Sequence, residues 1–467
     1  MGFLDRLRGA ERLYTFDDVY LVPGRAPVDP SQVDVSTRFS RNVRLLIPIS
    51  SSPMDTVTEY DMAVAMALLG GIGVIHRNMP REQQVELASR VKQAPPVPTS
   101  RLHLDPDESC ERALDELRSL GLRDLPVVSR DGKLVGHARA QALRGCRGAV
   151  ASAMEPPVYF EPRRAAEALD YLESGARDSV AIAVGGAYVG TVTFDSSLNR
   201  VAPATDREGR LVVAAAISPF DLERARALDR YVDALVTDVA HFHNVEAMRA
   251  AREVAKSTGA DLVVGNVGTR EAAADALSVV ERVDGFRVGI AGGSICTTAA
   301  VGGAYAPTLW AVAAVRDAAD ELGADAPIIA DGGVRSSGDI VKALAAGASS
   351  VMLGYLLAGT DEAPAPLVRV GEAAYKPYRG MASRGAMERR FAVDRYTRAS
   401  KRVAEGVEGL VPYRGPVASV VAELVEGVKA GLGYAGASNI RELWAVARFG
   451  VAPQKQVPQE LFRAGEG

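Results

Sequence analysis

Phe286-Arg287-Val288-Gly289-Ile290-Ala291-Gly292-Gly293-Ser294-Ile295-Cys296-Thr297-Thr298 joins an apolar run, Phe286 to Ile290, to a glycine-rich loop that carries a cysteine. A thiol so placed sits at a strand end on permissive backbone. Glycine accepts positive φ and lets a ligand approach the main chain, so such a loop can wrap an ion and present a nucleophile. The plainer alternative is a small buried cysteine in a turn. The surrounding chain decides between them.

Similar apolar runs ending in Gly, Ser, Asn or Asp recur at Leu45 to Ser51, Gly71 to His76, Leu211 to Ser218, Ala234 to Asp238, Leu262 to Asn266, Pro327 to Asp331 and Ser349 to Gly354. With the first run they make eight. Most intervals between them carry helical patterns, at Asp221 to Tyr231, Ala247 to Thr258, Arg270 to Val280, Thr308 to Leu322 and Ser337 to Ala346. Continuous apolar strands alternating with amphipathic helices predict a parallel sheet covered by helices, and eight units predict a closed (β/α)8 TIM barrel. In that fold the chemistry lies on loops after the strand C-termini, where Cys296 falls.

One interval breaks the rhythm. Between His76 and Leu211 the chain passes Ala94-Pro-Pro-Val-Pro98, then two similar halves, then Ala202-Pro203-Ala204. The first half has a helix pattern over Ser109 to Leu120, then Leu125 to Val128, a turn at Asp131-Gly132 and Leu134 to Gly136. The second has Arg164 to Gly175, then Ser179 to Val184, a turn at Gly185-Gly186 and Tyr188 to Thr193. A repeat of this kind predicts a pair of small modules inserted after the second barrel strand. The expected division is 1–94 for the first part of the barrel, 95–202 for the insert (about 95–148 and 149–202), and 203–467 for the rest of the barrel with a flap and C-terminal segment.

The 467 residues are 48% apolar and 24% charged, typical of a globular chain. A net charge of −4 gives no electrostatic case for nucleic acid or an anionic membrane, and no window reaches the roughly 18 apolar residues of a membrane span. Cys110, Cys146 and Cys296 show no paired spacing, which argues against a disulfide framework or a structural zinc site. The start, Met1-Gly2-Phe3-Leu4-Asp5-Arg6, lacks the apolar core of a signal peptide, so a cytoplasmic location is the expectation.

Four further segments stand beside the cysteine loop: Ser51-Ser-Pro-Met-Asp-Thr-Val-Thr-Glu59, Gly70-Gly-Ile-Gly-Val-Ile-His-Arg-Asn78, Ala330-Asp-Gly-Gly-Val-Arg-Ser-Ser-Gly-Asp339 and Tyr378-Arg-Gly-Met-Ala-Ser383. Together they resemble the IMP dehydrogenase and GMP reductase family along the whole chain, and the insert resembles a tandem CBS pair. The resemblance implies that Cys296 adds to C2 of a purine nucleotide to give a covalent thioimidate, work suited to a thiolate that both attacks and leaves. It implies a ribose contact for Asp331, backbone donors to the 5′-phosphate from Gly332, Gly333 and Gly354, and hydroxyl donors from Ser294 and Tyr378. Ser52, Met54, Gly380 and Met381 would also line the nucleotide, and Tyr355 stands where a serine usually helps hold phosphate. A potassium ion held by main-chain carbonyls would fall at Ala291, Gly293 and Cys296, although Ala291 replaces the usual glycine. Ala299 replaces the usual arginine.

The two family reactions differ after the shared adduct. A reductase expels ammonia from GMP and takes hydride from NADPH, in purine salvage; a dehydrogenase passes hydride from IMP to NAD and then hydrolyses the adduct. Asp238-Val239-Ala240 resembles the reductases' cofactor segment, Gly289 and Ala291 belong to the same cofactor face, and Arg77 matches a basic residue that touches the cofactor phosphate. Thr298 and Glu405 match the reductases' pair for protons on the leaving ammonia. Arg395 and Tyr396 resemble the dehydrogenases' water-activating dyad. The expectation is a GMP reductase that keeps its CBS pair, with IMP dehydrogenase as the alternative and a catalytically silent nucleotide sensor behind both. The family also implies adenine or guanine nucleotides at the CBS pair and a homotetramer or homo-octamer. His241-Phe242-His243 is unlike either enzyme; with no third ligand nearby, it reads as a loop that contacts the nicotinamide cofactor.

Overall fold

The computed structural model describes residues 9–193, 202–381, 383, 385–386 and 406–452. Its centre is a closed, all-parallel barrel of eight strands: β1 (Ile49–Ser51), β2 (Ile72–Ile75), β3 (Val213–Ile217), β4 (Ala234–Thr237), β5 (Asp261–Val267), β6 (Gly285–Val288), β7 (Ile328–Asp331) and β8 (Ser350–Leu353). Each expected run holds one strand. The strands read as unbroken apolar stretches because both faces are covered, by barrel interior and by helices. Closure is made by β8 pairing with β1 in register Val351↔Ile49.

Four of the helices between strands start on side-chain caps. Asp221, Asn244, Thr269 and Ser336 each accept a backbone N–H of the following first turn. Strand tops are thereby followed by fixed loops. Below the barrel, a short hairpin (Thr37–Arg38 with Arg44–Leu45) places fully buried Phe39 under the strands, and Asp261 holds the hairpin turn through Ser40 and Asn42. Above it, a three-stranded sheet (Val368–Val370, Ala373–Arg379, Glu408–Pro412) stands over the C-terminal ends.

The insert enters after helix Arg81–Gln93. Its first module packs helix Cys110–Leu120 against the hairpin Asp124–Val128 and Leu134–Arg139; its second packs helix Ala165–Glu173 against Ser179–Val184 and Ala187–Thr193. The short strand Tyr159–Phe160, which the sequence pattern does not reveal, adds a parallel edge to the second module. Gly185 and Gly186 both take positive φ at the tight turn between its long strands.

One expectation is corrected here. Cys110 and Cys146 form a disulfide across 36 residues, with Cα atoms 5.9 Å apart. Spacing could not show it, because the two meet only when the helix beginning at Cys110 packs on the short helix Ala140–Arg144. Among the described residues no helix is long and apolar enough to cross a membrane.

The insert is latched to the barrel by one buried amine. Lys92, at the end of the entry helix, donates to Asp206 on the return segment at 2.9 Å and to Asp233 before β4 at 2.7 Å. Burial pushes the Asp233 carboxyl up, and Lys92 opposes that shift. Lys92→Met should therefore lower unfolding free energy by about 3 kcal/mol at neutral pH, because it strands a buried carboxylate. The sign follows: protonation removes that stranded charge, so the deficit measured by urea unfolding should shrink as pH falls into the acidic range.

Candidate active site

The cavity at the barrel top is built by the loops after β1, β4, β5, β6 and β7 and by the segment after Ala373–Arg379. Its floor is a buried polar chain. Arg287, from β6, donates Nε to Asp331 Oδ2 at 2.8 Å and Nη1 to Asp238 Oδ1 at 2.9 Å. Asn266 donates to the same Asp331 Oδ2 at 2.8 Å and to the Gly289 carbonyl at 3.0 Å. Asp331 is thus held by one oxygen and lines the cavity with its carboxylate 15% exposed. A carboxylate so fixed can accept hydrogen bonds from a vicinal diol, as expected for a ribose contact.

The cysteine loop leans on β7. Thr308 Oγ1 donates to the Asp331 carbonyl at 3.0 Å, and a Cβ at Gly289 would lie 2.3 Å from that carbonyl oxygen, so only glycine fits there. Ile290 and Ala306 exchange backbone bonds at 3.1 and 3.2 Å and close the loop's base. Cys296 is partly exposed, and its thiol donates to Thr298 Oγ1 at 3.2 Å. Ala291 adopts φ +62°, so the left-handed conformation expected to need glycine is taken by alanine.

At the other end of the cavity, Gly354 follows β8 with no room for a side chain: a Cβ there would lie 2.9 Å from Tyr378 Oη and 3.1 Å from Met54 Sδ. Burial pushes the Tyr378 phenol up to about 12, with a hydrogen bond from Ser294 opposing, so it stays a neutral donor. Tyr355 stacks obliquely on Tyr378 with ring centres 6.1 Å apart.

Of the residues expected at the site, Ser52, Met54, Asp331, Gly332, Tyr378, Gly380 and Met381 line one cavity with Cys296, Thr298, Ala240, Gly289, Ala291 and Gly293. Ser294, which bonds the Tyr378 hydroxyl, and Gly333 line an adjoining cavity that shares Gly292 and Gly332 with the first. Arg77 is 2% exposed, and its guanidinium donates to the Asp238 backbone carbonyl at 3.0 Å, so it braces the floor beneath the cavity. Asp238 and Val239 are buried as well, leaving Ala240 as the part of that segment at the cavity wall. His243 pairs with Asp275 at 2.8 Å, and His241 is held below the usual imidazole range by burial and by His243. No cluster of potential metal ligands occurs among the described residues. Glu405, Arg395 and Tyr396 lie outside them.

Sequence reasoning missed Asn266, Arg287 and Thr308. Arg287 carried a signal, a lone charge inside an apolar barrel strand, which has to be paired.

Residues 13–457 match the IMP dehydrogenase / GMP reductase domain. A curated inosine-5′-monophosphate dehydrogenase of Korarchaeum cryptofilum is 44% identical over 453 residues, covering 95% of this chain and 94% of its own. One from Methanocaldococcus jannaschii is 44% identical over 492 residues, covering 99% and 98%. Among solved structures, a GMP reductase of Trypanosoma brucei in complex with guanosine 5′-monophosphate superposes with a TM-score of 0.73 at 35% identity, covering 96% of this chain and 97% of that one. With the barrel, the cysteine loop and these matches in agreement, the chain belongs to the IMP dehydrogenase / GMP reductase family of oxidoreductases.

Proposed function

We propose that the chain is a GMP reductase. The Cys296 thiolate attacks C2 of GMP; the C2 amino group is protonated and leaves as ammonia, giving a thioimidate on sulfur. NADPH, when bound, supplies the hydride to C2. The C–S bond then breaks, IMP departs and the thiolate is restored. Thr298, 3.2 Å from the sulfur, is in reach of the proton traffic at C2, and Glu405 is assigned as its partner. Asp331 orients the ribose, and Tyr378, Gly332 and Gly354 receive the phosphate end.

The observation that carries the reductase is the cofactor wall. Asp238 and Val239 are buried, and Ala240, whose side chain carries no hydrogen-bonding group, lines the cavity, which suits a reaction that keeps water away. The Trypanosoma brucei reductase, matched over nearly its full length, agrees with this reading. The dehydrogenase is kept as a second reading because the names of the curated relatives favour it over the reductase; Arg395 and Tyr396 would then serve the water step. The insert would take adenine or guanine nucleotides, and the assembly would be a tetramer or octamer. Main-chain carbonyls of Ala291, Gly293 and Cys296 would hold a potassium ion. The Gly293 carbonyl also accepts the Cys296 N–H at 3.0 Å.

Two assays separate the readings. NADPH consumption and ammonia release with GMP, and no NADH from IMP and NAD, are expected; NADH formation alone would make the chain a dehydrogenase. Cys296→Ser should abolish either activity. Ala291→Gly, measured by thermal and urea unfolding, should be neutral or stabilising by up to about 1 kcal/mol, because glycine takes positive φ without strain. If the carbonyls hold potassium, it should leave the potassium dependence of turnover in place.

A further inference from the structure

A second buried ion pair at the barrel top has no part in the chemistry above. Asp55, in the loop after β1, has a fully buried side chain and meets Arg379 through two parallel bonds, Nε to Oδ1 at 2.9 Å and Nη2 to Oδ2 at 2.6 Å. Asn78, in the loop after β2, donates to the same Oδ2 at 2.8 Å and to the Ala386 carbonyl at 3.2 Å. The Arg379 N–H reaches Thr56 Oγ1 at 3.4 Å. Two barrel loops therefore grip the chain around Arg379 and Ala386. Burial raises the Asp55 carboxyl, but Arg379 and Asn78 outweigh it and hold the group below the usual carboxylate range, so the pair is ionised.

What they grip is the cover of the cysteine loop. Gly380 and Met381 line the catalytic cavity beside Tyr378. The Gly380 N–H donates to the Val407 carbonyl at 3.1 Å, and the Val407 N–H donates to the Ile295 carbonyl at 3.1 Å. Cys296 itself pairs with Gly406 in an isolated bridge. A Cβ at Gly380 would lie 3.4 Å from the Ile295 carbonyl oxygen, an ordinary contact, so cover and loop are close neighbours. The path from Asp55 to Cys296 is short: one bidentate ion pair, two backbone hydrogen bonds and the two peptide links Arg379–Gly380 and Ile295–Cys296.

We propose that Asp55 and Arg379 are positioning residues, whose ion pair fixes the Gly380–Val407 cover against Ile295 and so sets the line of approach of the Cys296 sulfur to the purine. The proposal rests on Cys296 being the nucleophile and holds for either direction of the reaction. A bidentate fork suits the task because it fixes orientation as well as distance, which a lysine cannot do.

The test uses the full chain carrying Arg379→Gln, Arg379→Lys or Asp55→Asn. Active sites are counted by nucleotide-protected alkylation of Cys296, so that misfolded protein does not enter the rates. Arg379→Gln and Asp55→Asn should lower kcat per active site by about 10²-fold, the scale of a misplacement near 1 Å, with the nucleotide KM little changed. Arg379→Lys should recover part of the loss. The pH profile of Cys296 alkylation in the free protein should not move, since the guanidinium acts through position and does not touch the sulfur. An unchanged kcat per active site in the folded variants would overturn the proposal, as would a shifted alkylation profile, which would mean a direct charge effect on the thiol. Turnover surviving in Cys296→Ser would instead remove the nucleophile assignment, whatever the Arg379 variants do.

Discussion

A guanidinium buried inside a barrel has to be neutralised, and the answer to that constraint organises this site. Arg287 projects from β6, whose other side chains are apolar, and it is satisfied by Asp238 at the top of β4 and Asp331 at the top of β7. An unpaired charge there would cost several kcal/mol, so the three groups are bound to one geometry. Asn266 completes it by taking both Asp331 and the Gly289 carbonyl. One oxygen of Asp331 is locked into the floor, and its carboxylate is thereby aimed at the cavity. Arg77 closes the far side on Asp238.

The cysteine loop is shaped by backbone crowding on this frame. Gly289 and Gly332 sit where the β6 and β7 loops nearly touch: a Cβ on Gly332 would lie 2.9 Å from Gly292 and Gly293. The loop cannot swing away from β7, and the cover formed by Gly380 and Val407 limits it from above. The Cys296 thiol is therefore held by main-chain contacts on two sides, with Thr298 the polar side chain it touches.

Much of this was legible in the sequence, and the reasons are local. Each barrel strand falls in an apolar run, and four of the following helices begin on side-chain caps, at Asp221, Asn244, Thr269 and Ser336, so periodicity and capping chemistry report them directly. The helix expected at Arg270 to Val280 is found over those residues, as is the strand expected at Ser179 to Val184. The cysteine loop announced itself by glycine content. What was illegible depends on contacts between distant segments. The Cys110–Cys146 bond needs two helices to pack, and the burial of Arg77 needs Asp238 from another strand. Ala291 at positive φ marks a further boundary, since residue type biases φ and tertiary crowding decides it.

Everything proposed for this site turns on a carbon–sulfur bond between the purine and one of three cysteines. The most direct measurement mixes the purified chain with IMP and an oxidised nicotinamide cofactor, quenches in acid and weighs the peptides. Both family reactions pass through the same adduct, so the outcome does not depend on which direction is favoured. A nucleotide mass is expected on the peptide bearing Cys296, lost in Cys296→Ser. Turnover of nucleotide with no adduct on that peptide, or with the adduct on Cys110 or Cys146, would contradict the central claim.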